Sequence, residues 1–171
     1  MYKREIWEWI KSIILAIIIA LFIKTFLFNT TYVKGSSMYP TLHNKDRLFT
    51  NKIVYYLDEP EKGDIVVLAA PDDPDKDYIK RVIAIEGDTV KIKKGKVYVN
   101  NQLVDEEYTE DGAYTYTYDI NEWLVPKNFV FVLGDNRNKD ASKDSRYLGY
   151  ITENSIKGKA IFRWFPFDSR L

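Results

Sequence analysis

Eleven consecutive apolar residues, Ile13 to Ile23, constrain this chain more than any other feature. A helix carrying that run has no polar face to offer water, so it must be covered by protein or by lipid. The wider stretch from Ser12 to Phe28 holds one charge, Lys24. From Ile6 to Phe28 a helix would reach about 34 Å, the thickness of a bilayer core. Trp7 and Trp9 fall where an interfacial aromatic belt lies, and Lys24 can snorkel at the other end. A buried core helix would show polar residues on one side, and this run shows none. A cleaved leader would end in a small-x-small site, whereas Phe28-Asn29-Thr30-Thr31-Tyr32 follows. The expectation is an uncleaved anchor over roughly 8–28. Lys3, Arg4 and Lys11 set its N-terminal side in the cytoplasm, and residues 29–171 form an extracytoplasmic domain of a cell-membrane protein.

Composition removes several chemistries. The 171 residues carry 25 basic and 25 acidic side chains, so no global field exists to hold nucleic acid. Residues 1–28 contain four of the basic and two of the acidic groups, which leaves the remainder nearly neutral. With no cysteine there is no disulfide, iron–sulfur cluster, thiolate zinc site or cysteine nucleophile. His43 is the one histidine, which rules out a multi-histidine zinc site. A hydrolase built on this chain is expected to use a base other than histidine and to need no metal or cofactor.

Beyond residue 29 the apolar pattern has period two, broken by turn residues. Asp64–Ala69 and Tyr78–Ile85 read as buried strands, separated by a loop with Pro71, Pro74 and four aspartates. Thr89–Lys93 alternates, turns at Lys94-Gly95 and returns as Lys96–Val99, a hairpin. Tyr114, Tyr116 and Tyr118 alternate with threonines and read as one packing face of a strand. Phe129–Leu133 and Ala160–Phe165 are further strands. The fold class is mainly β: an N-terminal transmembrane helix, then a coiled sheet or partly open barrel that hides its edges.

Three segments look over-specified for a simple sheet. Gly35-Ser36-Ser37-Met38-Tyr39-Pro40-Thr41-Leu42 sets glycine and proline around a serine, which holds a fixed turn and can expose an Oγ. In Tyr78–Ile85, Tyr78, Lys80, Val82 and Ala84 share one face, while Ile79, Arg81 and Ile83 share the other. Lys80 either snorkels from an edge strand or is buried. A buried ammonium is desolvated, its pKa falls, and lysine becomes a usable general base. The third segment, Gly134-Asp135-Asn136-Arg137 with Asp140–Gly149, is a dense polar loop after an apolar strand, in which Asp144 and Arg146 can pair. Each alone also reads as an ordinary turn, strand or solvated loop.

In this order behind an anchor, the segments resemble the bacterial type I signal peptidases, membrane-anchored Ser-Lys endopeptidases. Ser37-Met38-Tyr39-Pro40-Thr41-Leu42 matches the family's S-M-x-P-T-L box. Lys62-Gly63-Asp64-Ile65-Val66 resembles its R-G-D-I-V box with lysine for arginine. Tyr78 to Ile83 with Gly87-Asp88 resembles the lysine box, and Gly134–Arg137 with Asp144-Ser145-Arg146 the last one.

The resemblance implies roles. Ser37 is the nucleophile and Lys80 the base. Ser142 stands where the family often has a serine that orients the lysine, and Asp144 with Arg146 is a supporting ion pair. Six residues separate Arg137 from Asp144, two more than in many relatives. Ser37 N–H is one oxyanion donor, and with Gly35 two positions earlier the second is unassigned. Implied substrates are signal peptides of exported preproteins, cut after a small-x-small pattern, with Val33, Leu42, Tyr78 and Ile79 around shallow pockets. The aromatic run Trp164 to Phe167 reads equally as interfacial or as core. Implied partners are those preproteins and the lipid bilayer, with no nucleic acid, metal or cofactor. The oligomeric state is left open. The rivals are a membrane-tethered β module that binds without catalysis, a self-cleaving repressor and an inactive relative. Repressors carry a DNA-binding domain where this chain has its apolar segment, and intact Ser37 and Lys80 speak against inactivity.

Overall fold

A computed structural model describes residues 2–22 and 28–167. Its first element is helix α1, Tyr2–Phe22. The helix begins before the expected anchor, and Lys3, Arg4, Glu5, Glu8 and Lys11 all fall in its first half. Charge at that density shortens the apolar part, and among the described residues no helix is long and apolar enough to cross a membrane. The expected anchor over roughly 8–28 is thus not supported as a membrane-spanning helix by the described residues, and its stretch beyond Phe22 lies outside them. From Ile13 to Leu21 the large apolar side chains are exposed, and none of the described residues covers them.

The rest is β, as the period-two pattern dictates. Strands β1 (Phe28–Tyr32), β2 (Arg47–Asn51), β3 (Ile65–Ala69), β4 (Asp77–Ala84), β5 (Thr89–Lys93), β6 (Lys96–Val99), β7 (Gln102–Leu103), β8 (Glu122–Leu124), β9 (Phe129–Leu133), β10 (Ile151–Thr152) and β11 (Ile156–Phe165) follow in order. Helices after α1 are single turns: α2 (Val54–Leu57), α3 (Ser145–Leu148) and a 3-10 turn at Glu153–Ser155. Seven strands form one sheet in the order β1-β2-β11-β3-β4-β9-β10, and four form a second in the order β7-β6-β5-β8. Every pairing is antiparallel. The large sheet stays open, with β1 and β10 as its edges, and register shifts in β11 and between β4 and β9 bend it.

The hairpin falls where the sequence puts it. Lys93 pairs with Lys96, and Lys94 (φ 52°) with Gly95 (φ 74°) makes the two left-handed residues of a tight turn. The tyrosine row does not form its expected strand. Residues 113–118 join no ladder, and Tyr114, Tyr116 and Tyr118 stay about half exposed while Thr115 turns inward and is buried. The alternation is real, yet the rings face outward because Thr115 satisfies a buried arginine.

β3 and β4 set the site. β3 is buried on both faces: Ile65 and Val67 pack with Met38, Leu42, Leu48 and Ile79, while Val66 and Leu68 pack with Val82, Val130 and Val132. β4 lies between β3 and β9, so it is an interior strand. That excludes the edge-strand reading of Lys80. The third cluster, around Trp123, Phe131 and Leu133, joins the small sheet to the large one.

Candidate active site

Lys80 is opposite Val66 on β3 and shares its face of β4 with Tyr78 and Val82. The serine turn covers that face at Lys80, and the residue is 3% exposed. Burial lowers the Lys80 pKa from 10.5 to about 8; Asp144 and Asp135 oppose that shift, and Arg146 adds to it. The amine reaches Ser37 Oγ at 3.0 Å and the Ile79 carbonyl at 2.9 Å, with the Tyr78 ring centroid 5.1 Å away. Ser37 and Lys80, 43 positions apart, are thus brought together.

The serine turn is held from both ends. Asn44 Oδ1 accepts from Gly35 N–H at 3.1 Å, and Ser36 O accepts from Tyr39 N–H at 3.1 Å, ahead of a cis Tyr39–Pro40 bond. Ser37 O accepts from Asn136 N–H at 3.1 Å, and Ser36 O accepts from Asn136 Nδ2 at 3.0 Å. No acceptor among the described residues takes the Ser37 N–H. Gly134 backs onto this turn, where a Cβ would collide with Ser37 O and with Ser142. A side chain at that position must displace the serine turn or the loop.

Asp144 and Arg146 form the expected pair, by a different geometry. Arg146 Nε and Nη2 donate to the two Asp144 oxygens at 2.8 and 2.7 Å, with both side chains buried. The segment is helical rather than extended: Asp144 caps α3 and also accepts from Gly134 N–H at 3.0 Å. Ser142 is buried beside Gly134, but its Oγ makes no hydrogen bond, so it does not hold Lys80 here.

The four residues expected around the substrate fall in two places. Val33, Leu42 and Ile79 join one buried cluster with Met38, and Tyr78 packs against the other face. Leu42 has no exposed surface and packs with Met38 beneath the serine turn. His43 is exposed and stacks edge-on with Tyr39.

Sequence reasoning did not find a buried polar network that joins the four boxes. Arg81 donates from Nε and Nη2 to Asp135 at 2.9 and 2.7 Å, and from Nη1 to Gly63 O at 2.9 Å. Thr41 Oγ1 donates to Asp135. Arg137 donates to Gly134 O and to Thr115 Oγ1, and pairs with Glu106 at 2.6 Å. An arginine on the apolar face of a strand was the available signal, since a charge there must find a buried partner.

The chain is similar over most of its length to proteins of one family. The family described as signal peptidase, peptidase S26, matches residues 6–165. Signal peptidase I S of Bacillus subtilis (strain 168) is 43% identical over 175 residues, covering 97% of this chain and 92% of that protein. Signal peptidase I of Bacillus amyloliquefaciens is 44% identical over 169 residues, covering 94% and 86%. The crystal structure of a signal peptidase I from Enterococcus faecalis V583 is similar with a TM-score of 0.50 and 28% identity, covering 60% of this chain and 97% of that one.

Proposed function

The chain belongs to the signal peptidase family S26 as a signal peptidase I, a serine endopeptidase that removes signal peptides, and from that premise we propose that Ser37 and Lys80 are its catalytic pair. The observation that carries this reading is the 3.0 Å approach of Ser37 Oγ to a buried Lys80 whose pKa is lowered to about 8. Near neutral pH a usable fraction of that amine is unprotonated and can accept the serine proton. As Oγ attacks the scissile carbonyl, the proton moves to Nζ, and the C–O bond of an acyl-enzyme forms. The Ser37 N–H donates to the developing oxyanion. The ammonium then returns a proton to the leaving amine as the peptide bond breaks. Lys80 activates water in the same way for deacylation, which restores Ser37.

Asp144 with Arg146 and the Gly134 turn support the pair from behind. The buried floor of Val33, Leu42 and Ile79 suits a small-x-small cleavage motif, since bulky side chains would find it already filled. Ser142, buried beside Gly134 with an unbonded hydroxyl, is the group we take to orient the lysine once substrate is bound.

Residues 1–28 serve as the membrane attachment and 29–171 as the extracytoplasmic peptidase domain. The support is the exposed apolar surface of α1 and the apolar sequence continuing past it. Where the large sheet's edge strand β1 follows that segment, Arg47 lies 5.1–5.3 Å from the rings of Tyr32, Trp164 and Phe165, and Phe165 and Phe167 are exposed. An aromatic and cationic surface of this kind suits a lipid interface. Tethering would hold the enzyme and the signal peptide of its substrate in one bilayer, raising their effective concentration.

The test is cleavage of a purified preprotein in detergent by the full chain and by folded Ser37→Ala and Lys80→Ala. Loss of cleavage in both supports the pair. Retained cleavage in Lys80→Ala overturns it. If the wild type cuts nothing and Ser37→Ala changes nothing, a non-enzymatic binding module takes its place.

A further inference from the structure

One ring sits against the polar network from outside the four boxes. Tyr108 lies in the connection between β7 and β8, and its centroid is 4.0 Å from the Arg81 guanidinium carbon and 5.9 Å from that of Arg137. Its carbonyl lies 3.3 Å from Thr41 Oγ1, whose proton goes to the nearer Asp135. Its hydroxyl donates to Glu106 Oε1 at a long 3.3 Å, and Glu106 is already paired with Arg137. Tyr108 also lines a surface cleft of about 350 Å³ together with Gly63, Ile83 and Leu103, whereas Arg81, 7% exposed, does not line it.

We propose that Tyr108 is a positioning residue for the cleavage reaction: its ring, laid on Arg81, holds the Arg81–Asp135–Thr41 network that fixes the serine turn relative to Lys80. The inference rests on the reading of Ser37 and Lys80 as the catalytic pair. The chain of contacts is short. Arg81 uses three donors on Asp135 and Gly63, so a shift of its guanidinium moves all of them. Asp135 takes the Thr41 hydroxyl, and Thr41 lies four residues after Ser37 in the same turn. A guanidinium stacked on a ring face and sealed from water is held in its plane. Without the ring, the cleft opens onto the arginine and solvates it. A displacement of about 1 Å at the reacting atoms is enough to cost a large factor in rate.

The network also sets the charge that Lys80 feels. The groups acting on the amine are Asp144 and Asp135, which favour its charged form, and Arg146, which opposes it; the Ser37 hydroxyl and the Tyr78 ring complete its surroundings. Arg81 neutralises Asp135. Loosening Arg81 strengthens the pull of Asp135 on Lys80 and moves the acid limb of kcat/KM to higher pH.

The experiment compares Tyr108→Phe, Tyr108→Leu and Tyr108→Met in the full chain in detergent, with folding checked, reading kcat and KM separately across pH on a purified preprotein. Tyr108→Phe keeps the ring and should stay within about twofold of wild type. Tyr108→Leu should lose about tenfold in kcat with KM little changed, and its acid limb should move up. Tyr108→Met fills similar volume without a π face and carries the same expectation should the leucine variant unfold. Wild-type kcat and pH profile in either folded aliphatic variant would overturn the proposal, as would a Phe variant damaged as badly as Leu. Ser37→Ala, run alongside, separates the two levels: if it still cleaves, the catalytic pair is wrong, whereas a dead Ser37→Ala beside an unaffected Tyr108→Leu sinks only the role of Tyr108.

Discussion

Gly134 faces the Ser37 carbonyl so closely that no side chain fits between them, because a Cβ there would overlap both Ser37 O and the Ser142 hydroxyl. This contact joins the end of β9 to the serine turn, and Asn136 N–H bonds the same carbonyl two residues later. Adding one methyl group must push the turn away from Lys80 or pull the loop away from Asp144. Gly134→Ala is expected to fold with a loss of about 1–3 kcal/mol, the usual range for overpacking. Its cleavage rate should fall by about a hundredfold. Thermal unfolding and single-turnover cleavage of the same sample check both parts.

Burying Lys80 costs stability, and the direction with pH follows from linkage. Its pKa falls from 10.5 to about 8 on folding. Between those values the unfolded chain binds more protons than the native one, so stability rises with pH across that window. Below pH 8 the whole penalty is present, on the order of 3 kcal/mol. Lys80→Met fills the site with similar volume and no charge. It should abolish cleavage yet raise the melting temperature at pH 7 by several degrees, with the gain shrinking as pH climbs from 8 past 10. An unchanged melting temperature at pH 7 would show that Lys80 is not desolvated.

The serine turn, the lysine strand and the hairpin at Lys94-Gly95 were legible because each depends on local chemistry, a turn residue or a period of two; the Asp144–Arg146 pair was named from an extended spacing, whereas it forms around a helix cap. The state of Lys80 was legible only as a pair of alternatives, since the sequence does not say that β4 is an interior strand. Tyr114–Tyr118 was misread for a similar reason. Alternation locates the two sides of an extended segment, but whether it pairs depends on a distant partner, here Arg137 drawing Thr115 inward. The network around Asp135 joins residues from 41 to 135, a pairing that no local pattern encodes. The described helix starts earlier than the expected anchor, with five charged residues folded into it, and the anchor's stretch beyond Phe22 lies outside the described residues.

Ser142 and Ser145 are both buried, three residues apart, and they should respond differently to alanine. Ser142 Oγ has no hydrogen bond to lose. Ser145 Oγ accepts from the Val132 N–H at 2.9 Å inside the core. Removing the second leaves a buried amide without an acceptor, which costs about 1–3 kcal/mol. Ser142→Ala should leave stability unchanged or slightly improved. Denaturant midpoints for the two variants, at constant slope, measure the difference.

The Asp144–Arg146 pair should show two separable effects when its acid is neutralised. Asp144 raises the pKa of Lys80 while burial lowers it. Asp144→Asn removes a charge that favours the ammonium, so Lys80 gives up its proton more readily and the acid limb of kcat/KM moves to lower pH. The same change leaves Arg146, whose side chain is 4% exposed, without its carboxylate, a loss of about 3–5 kcal/mol for a broken buried pair. An enzyme less stable than wild type but with its acid limb moved below 8 is the expected result, read from pH profiles at a temperature where the variant stays folded. A limb that moves upward would mean that Arg146, once released, no longer faces Lys80 and that its repulsion outweighed the attraction of Asp144.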